Sequence, residues 1–353
     1  MKITPYQPVS RTRLQEILNR FPSVRVGVVG DGCVDIYWEA DMTKSVLSRE
    51  TPHYPLPILQ ERFSLGGGGN VAANIKSLGV SRLSFVTCVG TDWRERIFRD
   101  FMEQQEISYA DVLQSAKRVT PAYCKPLRHG ISDVVYEDPR LDFSNYAPLC
   151  RMDEDRFLER LHAAADSSDV LAVSDQLEFG CITPRIRDAL CAIARSMPVV
   201  VDSRERIGLY RHAIIKPNEV ECGQITRAPA SSDDLEQHLP QIAKQLREHT
   251  CQNAVLTLGD RGAAWIQEKT VSLIPAAPVS GPVDFVGAGD SFLAGFCCAI
   301  ASGATGEEAV EIANLTACVT IQKIGTTGTA TASELLNQYD IRQEKKDGMD
   351  QDR

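Results

Sequence analysis

Several residue types are scarce here, and each scarcity removes a class of function. Histidine occurs six times in 353 residues and tryptophan three times. The eleven cysteines form no CxxC pair and accompany no histidine cluster, which excludes a zinc framework and a secreted disulfide scaffold. They read as reduced, small hydrophobic residues. Basic charge is in deficit, with 38 lysines and arginines against 47 acidic residues and no basic patch, so neither nucleic acid nor a membrane surface is an expected partner. No apolar run is long enough to span a bilayer, and the N-terminus lacks a basic start followed by an apolar core. A soluble, cytoplasmic protein is expected. A complete dinucleotide fingerprint is also missing: Gly30-Asp31-Gly32 follows a strand-like run, but the third glycine is absent and Ile36-Tyr37-Trp38-Glu39 continues as strand.

What the chain has is a 43% hydrophobic content, enough for one large domain with an embellishment, or for two. Its focus is Asp284-Phe285-Val286-Gly287-Ala288-Gly289-Asp290-Ser291. Small residues at 287 to 289 allow a tight turn, and the apolar run that follows, up to Gly303, predicts a buried helix with a glycine stop. Amides that open a helix carry partial positive charge and hold an anion without a lysine. The sequence leaves two readings of Asp290. It is either a base for a hydroxyl attacking a phosphoryl group held over the amides of Gly287, Ala288 and Gly289, or a simple helix cap.

Apolar, β-rich runs at 24–29, 83–89, 170–174, 198–202, 213–216 and 254–258 alternate with helical patterns near 92–105, 152–165, 184–196, 218–226 and 232–249. This rhythm predicts an α/β fold with a mostly parallel sheet covered on both faces and ligands at the C-terminal ends of the strands. Two segments break it. Residues 36–62 are irregular and marked by Pro52, Pro55 and Pro57, while residues 119–147 carry strand-like runs on either side of His129-Gly130. Together they predict a small β lid beside a body of residues 1–35, 63–118 and 148–341. The charged residues 342–353 are expected to form a disordered tail.

Leu65-Gly66-Gly67-Gly68-Gly69-Asn70 precedes another helix, and four glycines cost too much backbone entropy for a mere connector. They serve either close approach of a ligand, with Asn70 offered to a polyol, or a crowded helix crossing. Asn218 and Glu221 lie three apart, so they either face one side of a first helical turn and orient a hydrated magnesium ion or cap that helix. Asp31 and Asp35 suit hydroxyl recognition, and Asp31 suits a turn equally well. Arg49, Lys125, Arg128 and Arg204 are the basic residues that suit a second phosphate on a substrate, and each also suits a solvated surface.

The Gly-rich stretch at 66–70, Lys216-Pro217-Asn218-Glu219-Val220-Glu221 and Gly287-Ala288-Gly289-Asp290 stand in an order that resembles the ribokinase-like, or PfkB-type, carbohydrate kinases, from about residue 24 to 340. Gly30-Asp31, Asp35-Ile36-Tyr37-Trp38, Arg140-Leu141-Asp142-Phe143, Ser174-Asp175 and Lys323-Ile324-Gly325-Thr326 are similar to segments of that family's heptose 7-phosphate kinases. The resemblance implies a three-layer α/β/α body with a β lid. It also implies ATP-dependent phosphorylation of a sugar or sugar phosphate, with Asp290 as base and the amides of 287 to 289 as anion hole. Asp35, Gly67, Gly68, Asn70, Lys125 and Asp175 would hold the sugar. Asn218 and Glu221 would serve the phosphates and magnesium, the latter through water, and Thr257, Gly259, Gly262 and Asn314 would line the ATP site. Asp284, Thr320, Gly325 and Thr329 match the monovalent-cation site of many members, K+ being the candidate ion. A homodimer formed through the lid is implied as well. A nucleoside or vitamin alcohol as acceptor, and a non-catalytic sugar-binding protein, are the alternatives. This chain departs from the family at Phe285 and Val286, where threonine is usual, at Ser203-Arg204, and at Gln176. These changes bear on the substrate more than on the reaction.

Overall fold

A computed structural model describes residues 1–132, 134–226, 235–279 and 281–351. The edge strand β1 (Lys2–Thr4) and helix α1 (Arg11–Leu18), capped by Ser10, lead into β2 (Arg25–Gly30). The chain then leaves the body as β3 (Gly32–Asp41) and β4 (Ile58–Gly67) and returns through α2 (Gly68–Ser77). The body resumes with β5 (Arg82–Val89), α3 (Trp93–Gln104) and β6 (Val112–Gln114), and a second excursion gives β7 (Ala122–His129), β8 (Val135–Glu137) and β9 (Leu141–Phe143). The next stretch runs α4 (Arg151–Ser167), β10 (Val170–Asp175), α5 (Pro184–Ile193), β11 (Val199–Ser203) and β12 (Ile214–Ile215). After α6 (Glu219–Cys222) and α7 (Leu235–Thr250), strands β13 (Ala254–Thr257), β14 (Ala263–Ile266) and β15 (Thr270–Ile274) close the sheet. Three helices end the chain: α8 (Ala288–Ala301), α9 (Gly306–Ile321) and α10 (Ala332–Gln351).

The body sheet has ten strands in the order β1-β15-β14-β13-β12-β11-β10-β2-β5-β6, parallel except where β14 meets β13 and β15. Its strands are apolar on both faces because helices cover both. Val28 and Val200 face a core with α2, α8 and α9, while Val29 and Val201 face one with α4, α5 and α7. Between β10 and β2 the chain order reverses, which leaves a crevice beyond their C-terminal ends. The five lid strands form a separate sheet, β4-β3-β7-β8 with β9 on β7, over that crevice.

The predicted α/β body, parallel sheet and β lid are all present. Four details differ. The lid ladder starts at the Gly32–Gly67 pair, so residues 32–35 and 63–67, expected in the body, belong to the lid sheet. The helix expected over 218–226 ends at Cys222, where Gly223 weakens it. Strands β14 and β15 were not expected, being short runs without a clear alternation. The tail expected from 342 is helical through Gln351, because Arg342 is buried and donates to Glu311 Oε1 at 2.7 Å. Residues 352–353 of that tail, and 232–234 of the helix expected over 232–249, lie outside the described residues. Among the described residues, no helix is long and apolar enough to cross a membrane.

Candidate active site

Two cavities open at the crevice. The larger, about 590 Å³, is lined by Asn218, Glu221, Thr257, Gly259, Gly262 and Asn314, the set expected around a nucleotide. The smaller, about 180 Å³, lies under the lid and is lined by Asp35, Gly67, Tyr123 and Arg140 among others. Asp290, Gln176 and Arg204 line both. A carboxylate therefore stands on the wall between a nucleotide-sized space and a sugar-sized one.

The start of α8 explains how Asp290 gets there. Gly287 adopts φ +79°, a left-handed conformation that glycine supplies at little cost, and the next residue begins the helix. A Cβ at this position would stand 2.7 Å from Asn70 Nδ2, so glycine also admits that amide. Asn70 Nδ2 donates to Asp290 Oδ2 at 2.8 Å. Asn70 is itself oriented by Asn74, one turn along α2, whose Nδ2 donates to Asn70 Oδ1 at 3.1 Å and to its carbonyl at 3.0 Å. Of the three amides expected to hold an anion, that of Ala288 already donates to the Phe285 carbonyl at 3.2 Å, which narrows the set to Gly287 and Gly289. The α8 dipole adds positive potential at the same place.

Electrostatics concentrate here. Burial lifts the Asp290 carboxyl to about 7; the Asn70 hydrogen bond and Lys216 oppose this, and the charges of Asp202 and Asp35 reinforce it. Lys216 is buried, with Nζ 3.0 Å from Asp202 Oδ2, and this pairing outweighs burial to keep the amine charged. The pair flanks Gly289, since a Cβ there would lie 3.6 Å from Asp202 Oδ2 and 3.7 Å from Lys216 Nζ. Burial and Asp202 lift Glu221 to about 7, against the Asn218 amide, Lys216 and Arg204. Asp35 is raised by burial and lowered by Lys125 and Arg140.

The capping reading of Asn218 and Glu221 is the one observed, and both residues also line the larger cavity. Asn218 Oδ1 accepts from the Val220 and Glu221 amides at 2.9 and 2.8 Å, and Glu221 Oε2 accepts from the Asn218 amide at 2.9 Å, a complete capping box that also faces the larger cavity.

Several expected residues lie elsewhere. Asp175 lines neither cavity: it is fully buried, takes Nη2 of Arg206 at 2.5 Å, and accepts from Tyr210 Oη at 2.8 Å and Ser203 Oγ at 3.0 Å. It anchors the β11 loop instead of a sugar. Lys125 lines neither cavity, because its Nζ donates to Tyr37 Oη at 3.2 Å on the lid. Gly68 is buried and donates its amide to the Asp31 carbonyl at 2.7 Å. Asp31 does line the smaller cavity, but its carboxylate accepts from the amides of Gln176, Leu177 and Cys181 at 2.9, 2.8 and 2.6 Å, so it orders that distant loop and makes no local turn of its own. Of the basic residues, Arg204 reaches both cavities, Arg128 pairs with Asp138 at 2.6 Å, and Arg49 is exposed on a lid loop.

The oxygens expected to hold a monovalent cation already have donors. Asp284 Oδ1 accepts from the Val286 amide at 3.0 Å and Oδ2 from the Gly325 amide at 3.1 Å. The Lys323 amide donates to the Thr320 carbonyl at 3.0 Å, and Lys323 Nζ donates to the Thr329 carbonyl at 2.5 Å.

Sequence reasoning gave no role to Asp202, Lys216, Tyr123 or Asn74. A signal existed for Asn74, an amide side chain four residues after Asn70 on the same helical face. The others are brought in by strands distant in sequence.

A family model described as pfkB family carbohydrate kinase matches residues 185–332. Among curated proteins, the bifunctional protein HldE of Gluconacetobacter diazotrophicus is 30% identical over 324 residues, covering 90% of this chain and 64% of that protein. HldE of Citrifermentans bemidjiense is 28% identical over 334 residues, covering 91% of this chain and 65% of its own. The chain thus spans about 65% of the length of the curated relatives it matches. Among solved structures, an Arabidopsis thaliana ribokinase complexed with ribose and ATP superposes with a TM-score of 0.63 at 19% identity, covering 89% of this chain and 98% of that one. Phosphofructokinase-2 from Escherichia coli in complex with potassium gives 0.68 at 17% identity, with 91% and 99% covered. At these identities the structural likeness establishes the ribokinase-like fold.

Proposed function

The chain belongs to the pfkB family of carbohydrate kinases, and on that premise we propose that it transfers the terminal phosphoryl group of ATP to a hydroxyl of a sugar phosphate. The observation that carries this reading is the place of Asp290 on the wall shared by the two cavities.

Asp290 takes the proton of the acceptor hydroxyl. The acceptor oxygen bonds to the γ-phosphorus as the bond to the bridging oxygen breaks and ADP leaves. Little covalent chemistry falls to the protein, so positioning and charge stabilisation dominate. The amides of Gly287 and Gly289 hold the moving group, with the charge of Lys216 beside them. Asn70 holds Asp290 toward the acceptor, and Asp35 accepts hydrogen bonds from the acceptor's other hydroxyls.

Glu221, with Asn218 next to it, would hold magnesium through water. The fit rests on its half-buried carboxyl, which lines the larger cavity with Asp202 and is raised by burial and by that neighbour's charge, a negative cluster that a divalent cation would compensate. When bound, magnesium would supply positive charge to offset that of the phosphates.

The phosphate of the acceptor is assigned to Arg140 and Arg204, the two guanidinium groups on the smaller cavity. Heptose 7-phosphate, phosphorylated at the 1-hydroxyl, is the first acceptor to test. We place the reaction in the cytoplasm, where ATP is supplied, and assign a homodimer formed through the lid.

A coupled ADP-release screen across free and phosphorylated sugars, nucleosides and vitamin alcohols tests the reading. Turnover with a phosphorylated sugar, lost in Asp290→Asn, is the expected result. Turnover confined to free sugars overturns the sugar-phosphate assignment, and turnover confined to nucleosides overturns the sugar.

A further inference from the structure

One side chain of the lid reaches the loop between α9 and α10, next to the turn that opens α8. Arg62 on β4 donates from Nε and Nη2 to Glu39 Oε1 at 3.0 and 2.8 Å, and its guanidinium carbon lies 4.7 Å from the centre of the Tyr37 ring. The other Glu39 oxygen meets His129 Nε2. Held on three sides within the lid, the guanidinium turns its remaining nitrogen out of it: Nη1 donates to the carbonyl of Gly325, in the loop between α9 and α10.

That contact continues inward. Gly325 donates its amide to Asp284 Oδ2, and Asp284 Oδ1 accepts from the amide of Val286, next to Gly287. One run of hydrogen bonds therefore joins the lid sheet to the turn that opens α8.

The same loop is where the family resemblance set a monovalent cation. An exchangeable K+ ion is held by several oxygens that replace its hydration shell. Here the Asp284 carboxylate and the Thr320 carbonyl accept from backbone amides, while the Thr329 and Gly325 carbonyls accept from the charged groups of Lys323 and Arg62, which would repel a cation. The set does not fit such an ion.

We propose that Arg62 is a positioning residue for the anion hole, its tethered charge on the Gly325 carbonyl holding that loop in place of an exchangeable monovalent cation. Arginine suits the task because its planar fork binds Glu39 and Gly325 at once while stacking on Tyr37. Two consequences follow for the proposed kinase reaction, on which this inference rests. Nucleotide binding and turnover are independent of K+, and docking of the lid sets the amides of Gly287 and Gly289.

The test compares wild type, Arg62→Ala and Arg62→Lys in potassium chloride and in tetramethylammonium chloride of equal ionic strength. ADP affinity by calorimetry and melting temperature are read without any acceptor, and kcat and KM with one. Wild type is expected to give the same ADP affinity in both salts. Arg62→Ala is expected to lose about tenfold to a hundredfold in kcat, the cost of a misplaced reacting group, and to gain a K+ dependence that wild type lacks. Arg62→Lys, which reaches one partner at a time, is expected to fall between. If Arg62→Ala does not fold, Glu39→Gln loosens the same guanidinium and is expected to shift ADP affinity in the same direction. Wild-type ADP affinity that rises severalfold with K+ overturns the proposal, as does an Arg62→Ala protein indistinguishable from wild type in both salts. If no acceptor releases ADP, the reaction proposed above fails, while the ADP-binding comparison still decides the role of Arg62.

Discussion

As the proposed base, Asp290 would tie stability and turnover to one proton. Its carboxyl is lifted to about 7 in the folded chain, against about 3.9 when unfolded. The folded state therefore binds more protons between those values, and this group's contribution to stability falls as pH rises through that window, the opposite of an ordinary ion-paired aspartate. Asp290→Asn is expected to melt at a higher temperature than wild type at pH 8, with the gain shrinking toward pH 5. The same variant should lose about 10²- to 10⁴-fold in kcat. In wild type, kcat/KM should fall below about pH 7 as the base is protonated. An equal melting difference at both pH values would show that the carboxyl is not raised. Lys216 supplies a second residue-scale outcome. Lys216→Met strands Asp202, which is buried, and breaking a buried pair costs about 3–5 kcal/mol, readable by denaturant unfolding. It also removes a charge that lowers the Asp290 carboxyl, so the acid limb of the rate profile should move to higher pH.

At the scale of elements, the α8 and α9 pair fixes where Gly289 and Asp290 stand. The helices cross closely at Gly295, where a Cβ would lie 2.4 Å from Thr316 Oγ1 and 3.2 Å from Ala313 Cα. Gly295→Ala is expected to cost about 1–3 kcal/mol by overpacking and to lower kcat as α8 shifts, with unfolding curves and turnover as the measurements. An unchanged midpoint would mean the crossing has slack. The glycines of α8 and of the 66–70 stretch were legible because few structures need them, and the helix start after 287 followed from the apolar run. Asn218 and Glu221 were only half legible, since a spacing of three serves a capping box and a ligand site alike; here it makes the capping box, and the same two residues line the larger cavity. Asp175 and Lys125 were misplaced for another reason. What occupies them comes from far along the chain, Arg206 for the first and Tyr37, 88 residues away, for the second. Periodicity reports which face of an element is buried, and it is silent on which distant side chain arrives there.

For the whole molecule, the lid is the element on which closure and the proposed homodimer would both depend. Its sheet is entered and left by strands continuous with the active-site crevice, β3 from Gly32 and β4 to Gly67, so a movement of the lid is felt at Asp35 and Gly67 without a hinge far from the chemistry. Strand β4 is an edge, and its first four residues are exposed. Leu59 is 57% exposed there, and Tyr54 is 64% exposed just before the strand. An open edge carrying apolar side chains is a template for another strand, and a second copy of this chain offers the same edge in a self-complementary pairing. Sedimentation equilibrium is expected to show a dimer, and Leu59→Lys, which sets charge against charge across the two-fold axis, is expected to give a monomer. Because the lid closes over the smaller cavity, that monomer should bind its acceptor more weakly, with a raised acceptor KM. Its ADP affinity, set by the cleft between α6 and α8, should stay near that of wild type. A monomeric wild type with a normal acceptor KM would detach the lid's catalytic role from any pairing, and loss of ADP affinity in Leu59→Lys would show that pairing also holds the lid's Arg62 contact with the loop behind the nucleotide cleft.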